Sequence, residues 1–207
     1  MNKKLVLKLH EIGAIKFGSF TLKSGMLSPI YIDLRLLVSH PALLKMVAKE
    51  MRKKIAHLQY DRIAGIPYAA LPIATSLSLL LNKPMIYTRK EQKDYGTKKM
   101  IEGEYNKGET AIVIDDLVTT AKSKFEAIEP LLAEGLLVKD IVVLIDREQG
   151  GREQLREKGY NLHACIELKK LLKFLLKSGK LNKDKYDEVL KFLKDNRAPP
   201  LQPENKA

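Results

Sequence analysis

The middle of the chain carries acidic and hydroxyl side chains in an order that suits a sugar phosphate. Asp115 and Asp116 close an apolar segment, and Thr119, Thr120 and Ser123 follow just before an amphipathic stretch. Carboxylates accept hydrogen bonds from ribose hydroxyls, whereas hydroxyl side chains and the free N–H groups of a helix N-terminus bind phosphate. The pattern therefore favours a ribose 5-phosphate site. The structural alternative is a strand end followed by a helix cap, because Asp, Thr and Ser are common there in any protein.

Other chemistries find less support. Neither the GxGxxG nor the GxxxxGK[ST] pattern occurs, so dinucleotide and P-loop binding are not indicated. The 4 histidines lack the mutual spacing of metal ligands, and we expect them to be surface or hydrogen-bonded residues. Cys165 is the single cysteine and lies in an apolar segment, where we expect it to pack rather than act as a nucleophile. A single cysteine cannot form an intrachain disulfide, which favours a reducing compartment.

Four short apolar segments indicate the strands of a parallel sheet. Helix-length segments or, once, a long polar loop separate them, and they are residues 63–66, 85–88, 111–114 and 141–145. Strand and helix in alternation predict an α/β fold with a central, mostly parallel sheet flanked by helices. Ligands bind beyond the carboxyl ends of such strands, so we expect the site at residues 67–70, 89–90, 115–123 and 146–148.

Both ends of the chain are predicted to be mainly helical. Apolar residues at helical spacing indicate amphipathic helices near residues 5–12 and 43–55, and two short strands, 20–22 and 30–34, lie between them. From Leu168 onward, lysines surround leucines. We expect a helix that packs through its leucines and exposes its lysines, with nucleic acid or membrane binding as the alternative.

Length and charge match an ordinary globular domain. The chain has 207 residues, and 37 Lys and Arg against 25 Asp and Glu give a net charge of +12. Such a field attracts phosphates, nucleic acid and acidic membranes alike, so it names no partner. Gly65, Pro67 and Pro72 interrupt the uncharged run 63–81, which favours strand, turn and helix over a membrane span. We expect a cytoplasmic protein without a secretory leader, because charged residues break up the apolar start.

The acidic and hydroxyl residues also carry a family resemblance. Asp115-Asp116 followed by Thr119, Thr120 and Ser123 resembles the phosphoribosyl-pyrophosphate (PRPP) motif of the type I phosphoribosyltransferases. Four further segments resemble the orotate phosphoribosyltransferase family, above all the transferase half of UMP synthase; they are residues 17–35, 65–72, 89–97 and 146–151. The resemblance covers roughly residues 5–195 in order.

The resemblance implies a type I phosphoribosyltransferase fold. A single domain would span residues 1–196, with a small N-terminal hood at about 1–38 and a flexible catalytic loop, the lid, at about 90–108. Residues 197–207 would form a flexible C-terminal tail.

For function, the resemblance implies transfer of ribose 5-phosphate from PRPP to orotate. The products would be orotidine 5'-phosphate and pyrophosphate, with Mg2+ as cofactor, in the de novo biosynthesis of UMP. It also implies a homodimer whose active sites are shared across the interface, with neither membrane nor nucleic acid as a partner. The chain is too short for the decarboxylase domain often fused to this branch, so a separate orotidine 5'-phosphate decarboxylase is expected.

The resemblance assigns roles to individual residues. The catalytic set is Arg89, Lys93, Asp115 and Asp116. Orotate is assigned to Lys23, Tyr31, Ile32, Thr119 and Arg147. PRPP is assigned to Tyr68, Ala69, Arg89, Lys90, Lys93, Tyr95, Asp115, Asp116, Thr119, Thr120, Ala121, Lys122 and Ser123. Mg2+ is expected to bind mainly through PRPP, with Asp116 as the candidate protein contact and no other direct metal site.

Ala121 departs from the family pattern, which has glycine at this position of the phosphate loop. A methyl group there would crowd the phosphate, or be strained if the position required a positive φ, whereas Lys122 would add a charged contact. The departure motivates an alternative function: a phosphoribosyltransferase-fold regulator that binds nucleotides or RNA and is impaired in catalysis. A transferase for another base is a third possibility, and Lys23 with Arg147 speaks against it because both suit an anionic pyrimidine.

Overall fold

The computed structural model describes residues 1–22, 25–89 and 100–201. Its N-terminal part contains helix α1 (Lys3–Glu11), strands β1 (Ile15–Thr21) and β2 (Leu27–Ile32), a 3-10 helix (Leu34–Ser39) and helix α2 (Pro41–Ile55). β1 and β2 pair antiparallel as a two-stranded sheet. Asn2 caps α1 by accepting a hydrogen bond from Leu5 N at 3.1 Å, and Pro41 begins α2, where its missing N–H costs nothing.

The main sheet has six strands within the described ranges. They are β3 (Arg62–Gly65), β4 (Met85–Thr88), β5 (Ile101–Glu102), β6 (Thr110–Val118), β7 (Leu137–Asp146) and β8 (Asn161–Glu167), in the spatial order β5-β4-β3-β6-β7-β8. All neighbours are parallel except β4 and β5. The predicted α/β fold with a mostly parallel sheet is confirmed.

Helices cover both faces of this sheet. They are α3 (Ala70–Leu81), α4 (Lys122–Ala133), α5 (Gly151–Glu157), α6 (Leu168–Lys177) and α7 (Lys183–Asp195). Along β6, Ile112 and Ile114 join the core formed with α1, α2, α3, α6 and α7, whereas Ala111 and Val113 join the core under α4 and α5. Because successive side chains of a strand point to opposite faces, a strand buried on both sides is apolar throughout.

The lysine-rich C-terminal stretch forms a packed helix, as predicted. The leucines of α6 at positions 168, 171, 172 and 175 are fully buried, and its lysines at 169, 170, 173 and 177 are exposed. No helix in the described part of the chain is long and apolar enough to cross a membrane.

Cys165 lies on β8 and packs against the core. Burial raises the pKa of its thiol to about 12. A thiol that stays protonated at neutral pH is a poor nucleophile, so the predicted packing role agrees with its surroundings.

Several element boundaries differ from the prediction. β6 continues to Val118 instead of ending at Ile114, because it keeps pairing with β7 after its pairing with β3 has stopped. Asp115 and Asp116 therefore lie within a strand and not after one. In the N-terminal hairpin, β2 ends at Ile32 and Leu34 begins the 3-10 helix, since the Asp33 side chain accepts a hydrogen bond from Arg35 N. β5 is absent from the prediction because two residues are too few for a periodic pattern.

Candidate active site

A cleft of about 900 Å³ opens at the carboxyl ends of β3, β4 and β6. The turn after β3, the end of β4 and the first turns of α4 form its walls. Its lining includes Pro67, Tyr68, Ala69, Arg89, Asp115, Asp116, Ser123 and Lys124. Three of the four predicted segments thus contribute to one cleft, at the edge of the sheet where parallel sheets bind ligands.

The cleft exists because β6 is longer than its neighbour β3. Gly65, the last residue of β3, lies opposite Ile114. The chain then turns at Pro67, whereas β6 keeps its pairing with β7 up to Val118. The side of β6 that faces β3 is therefore open along Asp115 and Asp116, which we call the acid pair.

Asp115 is held in place by its neighbours. Its Oδ1 accepts a hydrogen bond from Asp116 N at 2.8 Å, and its Oδ2 lies 2.5 Å from Lys124 Nζ. The Lys124 ammonium also donates to Ser123 Oγ at 3.2 Å. The side chains of Lys124 and Asp115 are only 4% and 9% exposed. Breaking such a pair would leave one desolvated charge without a partner, which is costly.

The charged form of Asp116 is less stable than that of an exposed aspartate. Its Oδ1 accepts a hydrogen bond from Leu117 N at 2.8 Å. Burial, followed by the charge of Asp115, raises the pKa of Asp116 to about 7, and the Leu117 hydrogen bond and the Lys124 charge oppose this shift. Asp116 therefore exchanges a proton near neutral pH, as expected for one of two adjacent carboxyls.

Ala121 adopts an ordinary conformation at the start of α4. Its φ of −82° and ψ of −9° lie in the right-handed region, and its methyl group is fully buried in the core with Ile128 and Leu131. The position therefore needs no glycine, and the methyl group packs into the core. Lys122 is exposed on the first turn of the helix.

Gln154 connects the phosphate loop to the C-terminal segment. Its Oε1 accepts a hydrogen bond from Ala121 N at 3.0 Å, and its Nε2 donates to Pro199 O at 2.9 Å. The backbone donor of Ala121, a residue assigned to PRPP, is thus already used within the protein. Gln154 is 9% exposed, so both hydrogen bonds are shielded from water.

The C-terminal segment lies along α5. Arg197 pairs with Glu153 at 2.7 Å, and Leu201 N donates to Glu157 Oε2 at 2.8 Å. Residues 197–201, the described part of the expected tail, thus contact α5, which offers side-chain partners along its length.

Thr119 and the loop after β7 are joined by backbone hydrogen bonds. Arg147 N donates to Val118 O at 2.9 Å, and Gly151 N donates to Thr119 O at 3.1 Å. A Cβ at Gly151 would lie 2.6 Å from Val118 Cγ2 and 3.0 Å from Thr119 O, so this approach requires glycine. The structure thus brings the predicted residues Thr119 and Arg147 together.

Arg147 is 9% exposed, and burial lowers the pKa of its guanidinium. Its Nε is buried without a hydrogen-bond partner among the described residues. Such an unpaired donor is unusual, since buried donors are normally paired. Arg147 is not among the residues that line the described cleft.

Tyr31 and Ile32 lie on β2, away from the described lining of the cleft. Tyr31 accepts a hydrogen bond from Arg35 Nη2 at 3.0 Å and stacks near Phe20, with 5.5 Å between ring centroids. Ile32 packs into the larger core. The structure therefore does not join these two residues to Arg147.

Arg89, just before the predicted lid, contacts two residues that lie inside it. Arg89 N donates to Met100 O at 2.8 Å, and Arg89 Nε pairs with Glu102 Oε1 at 2.5 Å. Residues 90–99, and with them Lys90, Lys93 and Tyr95, lie outside the described residues, as does Lys23.

Lys124 and Gln154 are site residues that the sequence-based prediction missed. Lys124 shares the buried face of α4 with Ile128 and Leu131, at helical spacing. A lysine at a core position just after two acids is a readable signal for a buried ion pair. Gln154 gave no such signal, because only the tertiary structure brings it to Ala121.

The cleft can hold a phosphorylated sugar. It presents carboxylate acceptors beside hydroxyl side chains and a helix N-terminus. Among the described residues, no group of three His, Cys, Asp or Glu side chains is placed to hold a metal ion.

Comparison with known proteins shows similarity over most of the chain. A family model described as the phosphoribosyl transferase domain matches residues 36–166. Uridine 5'-monophosphate synthase of Bos taurus is 44% identical over 194 residues, which are 93% of this chain and 40% of that protein. Orotate phosphoribosyltransferase of Pyrococcus abyssi is 38% identical over 186 residues, which are 89% of this chain and 100% of that protein.

A solved structure shows the same fold. UMP synthase of Leishmania donovani matches with a TM-score of 0.86 and 46% identity, over 93% of this chain and 42% of that chain. The chain thus spans about two fifths of these synthases and the whole of the Pyrococcus protein.

We expect Asp116→Asn to stabilise the protein. Because the pKa of Asp116 is near 7 when folded and near 3.8 when unfolded, the folded state binds more protons in this interval, and stability falls as pH rises through it. Asparagine removes the charge, so the Tm should rise by roughly 5 °C at pH 8 and by less at pH 5. Asp195→Asn, an exposed change on α7, is the control. An unchanged or lower Tm at pH 8 would contradict the raised pKa.

We expect Gln154→Leu to destabilise the protein by about 1–3 kcal/mol, because Ala121 N and Pro199 O lose their partner. Urea unfolding measures the change. Gln154→Glu keeps the acceptor for Ala121 but places a buried carboxylate oxygen against Pro199 O, so it should also destabilise the protein at neutral pH. Equal midpoints for the leucine variant and the natural protein would refute the bridging role.

Proposed function

Because this chain belongs to the phosphoribosyltransferase family, we propose that it transfers ribose 5-phosphate from PRPP to orotate. The reaction yields orotidine 5'-phosphate and pyrophosphate, a step of pyrimidine nucleotide biosynthesis. The observation that carries the proposal is the acid pair, which lines a cleft between the turn after β3 and the N-terminus of α4. The names of the synthase and transferase relatives support orotate as the base.

The acid pair and the start of α4 hold the ribose 5-phosphate. Carboxylate oxygens of the pair accept hydrogen bonds from the ribose hydroxyls. The hydroxyls of Thr119, Thr120 and Ser123 bind the 5-phosphate, together with N–H groups of the first helical turn that have no intrahelical acceptor. Since Ala121 N is engaged by Gln154, the donors of this turn are the N–H groups of Lys122 and Ser123.

The opposite wall of the cleft receives the leaving group. As the bond from ribose C1 to pyrophosphate breaks, positive charge develops at C1 and negative charge on the departing oxygens. Arg89 and the turn at Tyr68-Ala69 line this side of the cleft and stabilise the leaving group. We assign Lys90, Lys93 and Tyr95 to the same task, as parts of a lid that excludes water.

Arg147 is our candidate for binding the orotate carboxylate. Its buried Nε without a partner among the described residues is suited to an anionic acceptor, and its backbone N–H is bonded to Val118 O, next to Thr119 in the chain. We keep Lys23, Tyr31 and Ile32 as base contacts. Lys23 lies outside the described residues, and Tyr31 and Ile32 would have to approach the cleft from β2.

Mg2+ fits this site as a companion of PRPP. Asp116 is the carboxylate that we propose would contact it, and oxygens of the diphosphate and of water would supply the other ligands that this ion prefers. Bound in this way, Mg2+ would neutralise charge on the leaving diphosphate. The chain's own residues position the ribose and the base.

The alternative, a regulator impaired by Ala121, loses its main support. Ala121 has an ordinary φ and a buried methyl group, so neither strain nor crowding of the phosphate is evident. The remaining argument for a regulator is the row of lysines on α6. A helix that packs through its leucines and exposes its lysines explains that row without a nucleic-acid partner.

The assembly and setting are part of the proposal. We propose a homodimer with shared active sites in the cytoplasm, where neither a membrane nor nucleic acid takes part. Formation of UMP from orotidine 5'-phosphate requires loss of CO2, which we assign to a separate decarboxylase activity.

Purified protein with PRPP and Mg2+ should consume orotate. The fall in the ultraviolet absorbance of orotate measures the reaction. Because Ala121 is unstrained, Ala121→Gly should change kcat/KM by less than about threefold, or below 1 kcal/mol. Adenine in place of orotate is the negative control. Turnover by the glycine variant alone would support the impaired regulator, and turnover by neither protein would refute the proposed reaction.

A mixing experiment tests the shared site. If Lys93 acts across a dimer interface, inactive Lys93→Ala and inactive Asp116→Asn subunits should regain up to about a quarter of the natural activity when mixed, because hybrid dimers contain one intact site. Subunit exchange is verified with differently tagged chains. Exchange without recovery would show that each site is built from one subunit.

A further inference from the structure

Lys124 is a buried lysine at a position of α4 where helical spacing predicts an apolar core residue. It shares the buried face of α4 with Ile128 and Leu131, and its side chain is 4% exposed. A lysine is almost never buried in this way unless it is paired, because its ammonium loses its water shell. The position therefore calls for an explanation beyond packing.

The ammonium is directed to the acid pair. Its Nζ lies 2.5 Å from Asp115 Oδ2 and 3.2 Å from Ser123 Oγ, which uses two of its three donors. With Asp116 N on Oδ1, both oxygens of Asp115 are engaged. The Asp115 carboxylate is thus fixed in orientation within the wall of the cleft.

The charges around the cleft are unfavourable for a polyanion without this lysine. In the described lining, Asp115, Asp116 and Glu126 are acidic, and Arg89 and Lys124 are basic. Arg89 is already paired with Glu102. Lys124 is therefore the cation that offsets the acid pair, at short range and away from water, where a charge acts most strongly.

We propose that Lys124 is a positioning and charge-balancing residue of the ribose site, which fixes Asp115 and cancels its charge so that a polyphosphorylated ribose can bind beside the acid pair. The inference rests on the proposed function, because it takes PRPP as the ligand. It goes beyond that function by assigning PRPP affinity to a residue outside the family motif.

The test is PRPP binding by isothermal titration calorimetry, with steady-state KM and kcat as a second readout. Lys124→Met keeps the length and the apolar stem of the side chain and removes the charge. We expect the Kd of PRPP to rise at least about tenfold, with KM for PRPP rising more than kcat falls. Lys173→Met, an exposed change on α6 with the same loss of charge, should leave the Kd within about twofold.

A second substitution separates charge balance from simple destabilisation. In Lys124→Arg, the positive charge and a donor to Asp115 are kept, although the shape of the side chain changes. We therefore expect Lys124→Arg to bind PRPP more tightly than Lys124→Met. A purely structural role would make PRPP affinity follow the fit of the side chain, so that Lys124→Met would bind PRPP at least as well as Lys124→Arg.

The outcomes are distinct. A Kd of Lys124→Met within about twofold of the natural protein, or Lys124→Arg that binds PRPP no better than Lys124→Met, would overturn the inference alone. Natural protein that binds no PRPP would overturn the proposed function and this inference with it. If Lys124→Met does not fold, Lys124→Gln replaces it as the uncharged variant: weaker PRPP binding than that of Lys124→Arg supports charge balance, and equal binding refutes it.

Discussion

The difference in length between β6 and β3 is the constraint from which the site follows. β3 ends opposite Ile114, while pairing with β7 carries β6 on to Val118. The residues in between have a neighbouring strand on one side and a cleft on the other. Two aspartates occupy this open stretch, and the turn into α4 comes directly after it. Acceptors for a sugar are therefore held by a strand of the main sheet, and donors for a phosphate follow in the turn into α4.

Holding two carboxyl groups there has a cost in stability. Burial and the charge of Asp115 raise the pKa of Asp116 to about 7, and Lys124 is buried to offset the pair. Two residues outside the family motif thus stabilise the site: Lys124 acts from α4 on Asp115, and Gln154 acts from α5 on the backbone of the phosphate loop. Active sites commonly concentrate such unfavourable groups, because binding needs charges that folding alone would not retain.

Much of this arrangement could be predicted from the sequence. The apolar segments predicted four strands of the sheet. The polar residues just after them predicted three walls of the cleft, because the carboxyl ends of parallel strands meet at one edge of the sheet. Prediction was weakest where tertiary contacts decide. Pairing with β7 extends β6 past its apolar run, and acceptors on α5 anchor residues 197–201. The hypothesis that Ala121 disables the phosphate loop came from the family pattern. The backbone angles of Ala121 in this chain do not support it.

The central claim is that the acid pair and the start of α4 form one binding site for a ribose 5-phosphate. A crystal structure of the protein soaked with ribose 5-phosphate tests this most directly. We expect the 2- and 3-hydroxyls within about 3 Å of carboxylate oxygens of Asp115 or Asp116, and the phosphate against Thr119, Thr120 and Ser123. A ribose phosphate bound elsewhere, for example on the lysine face of α6, with the cleft free of it, would contradict the account.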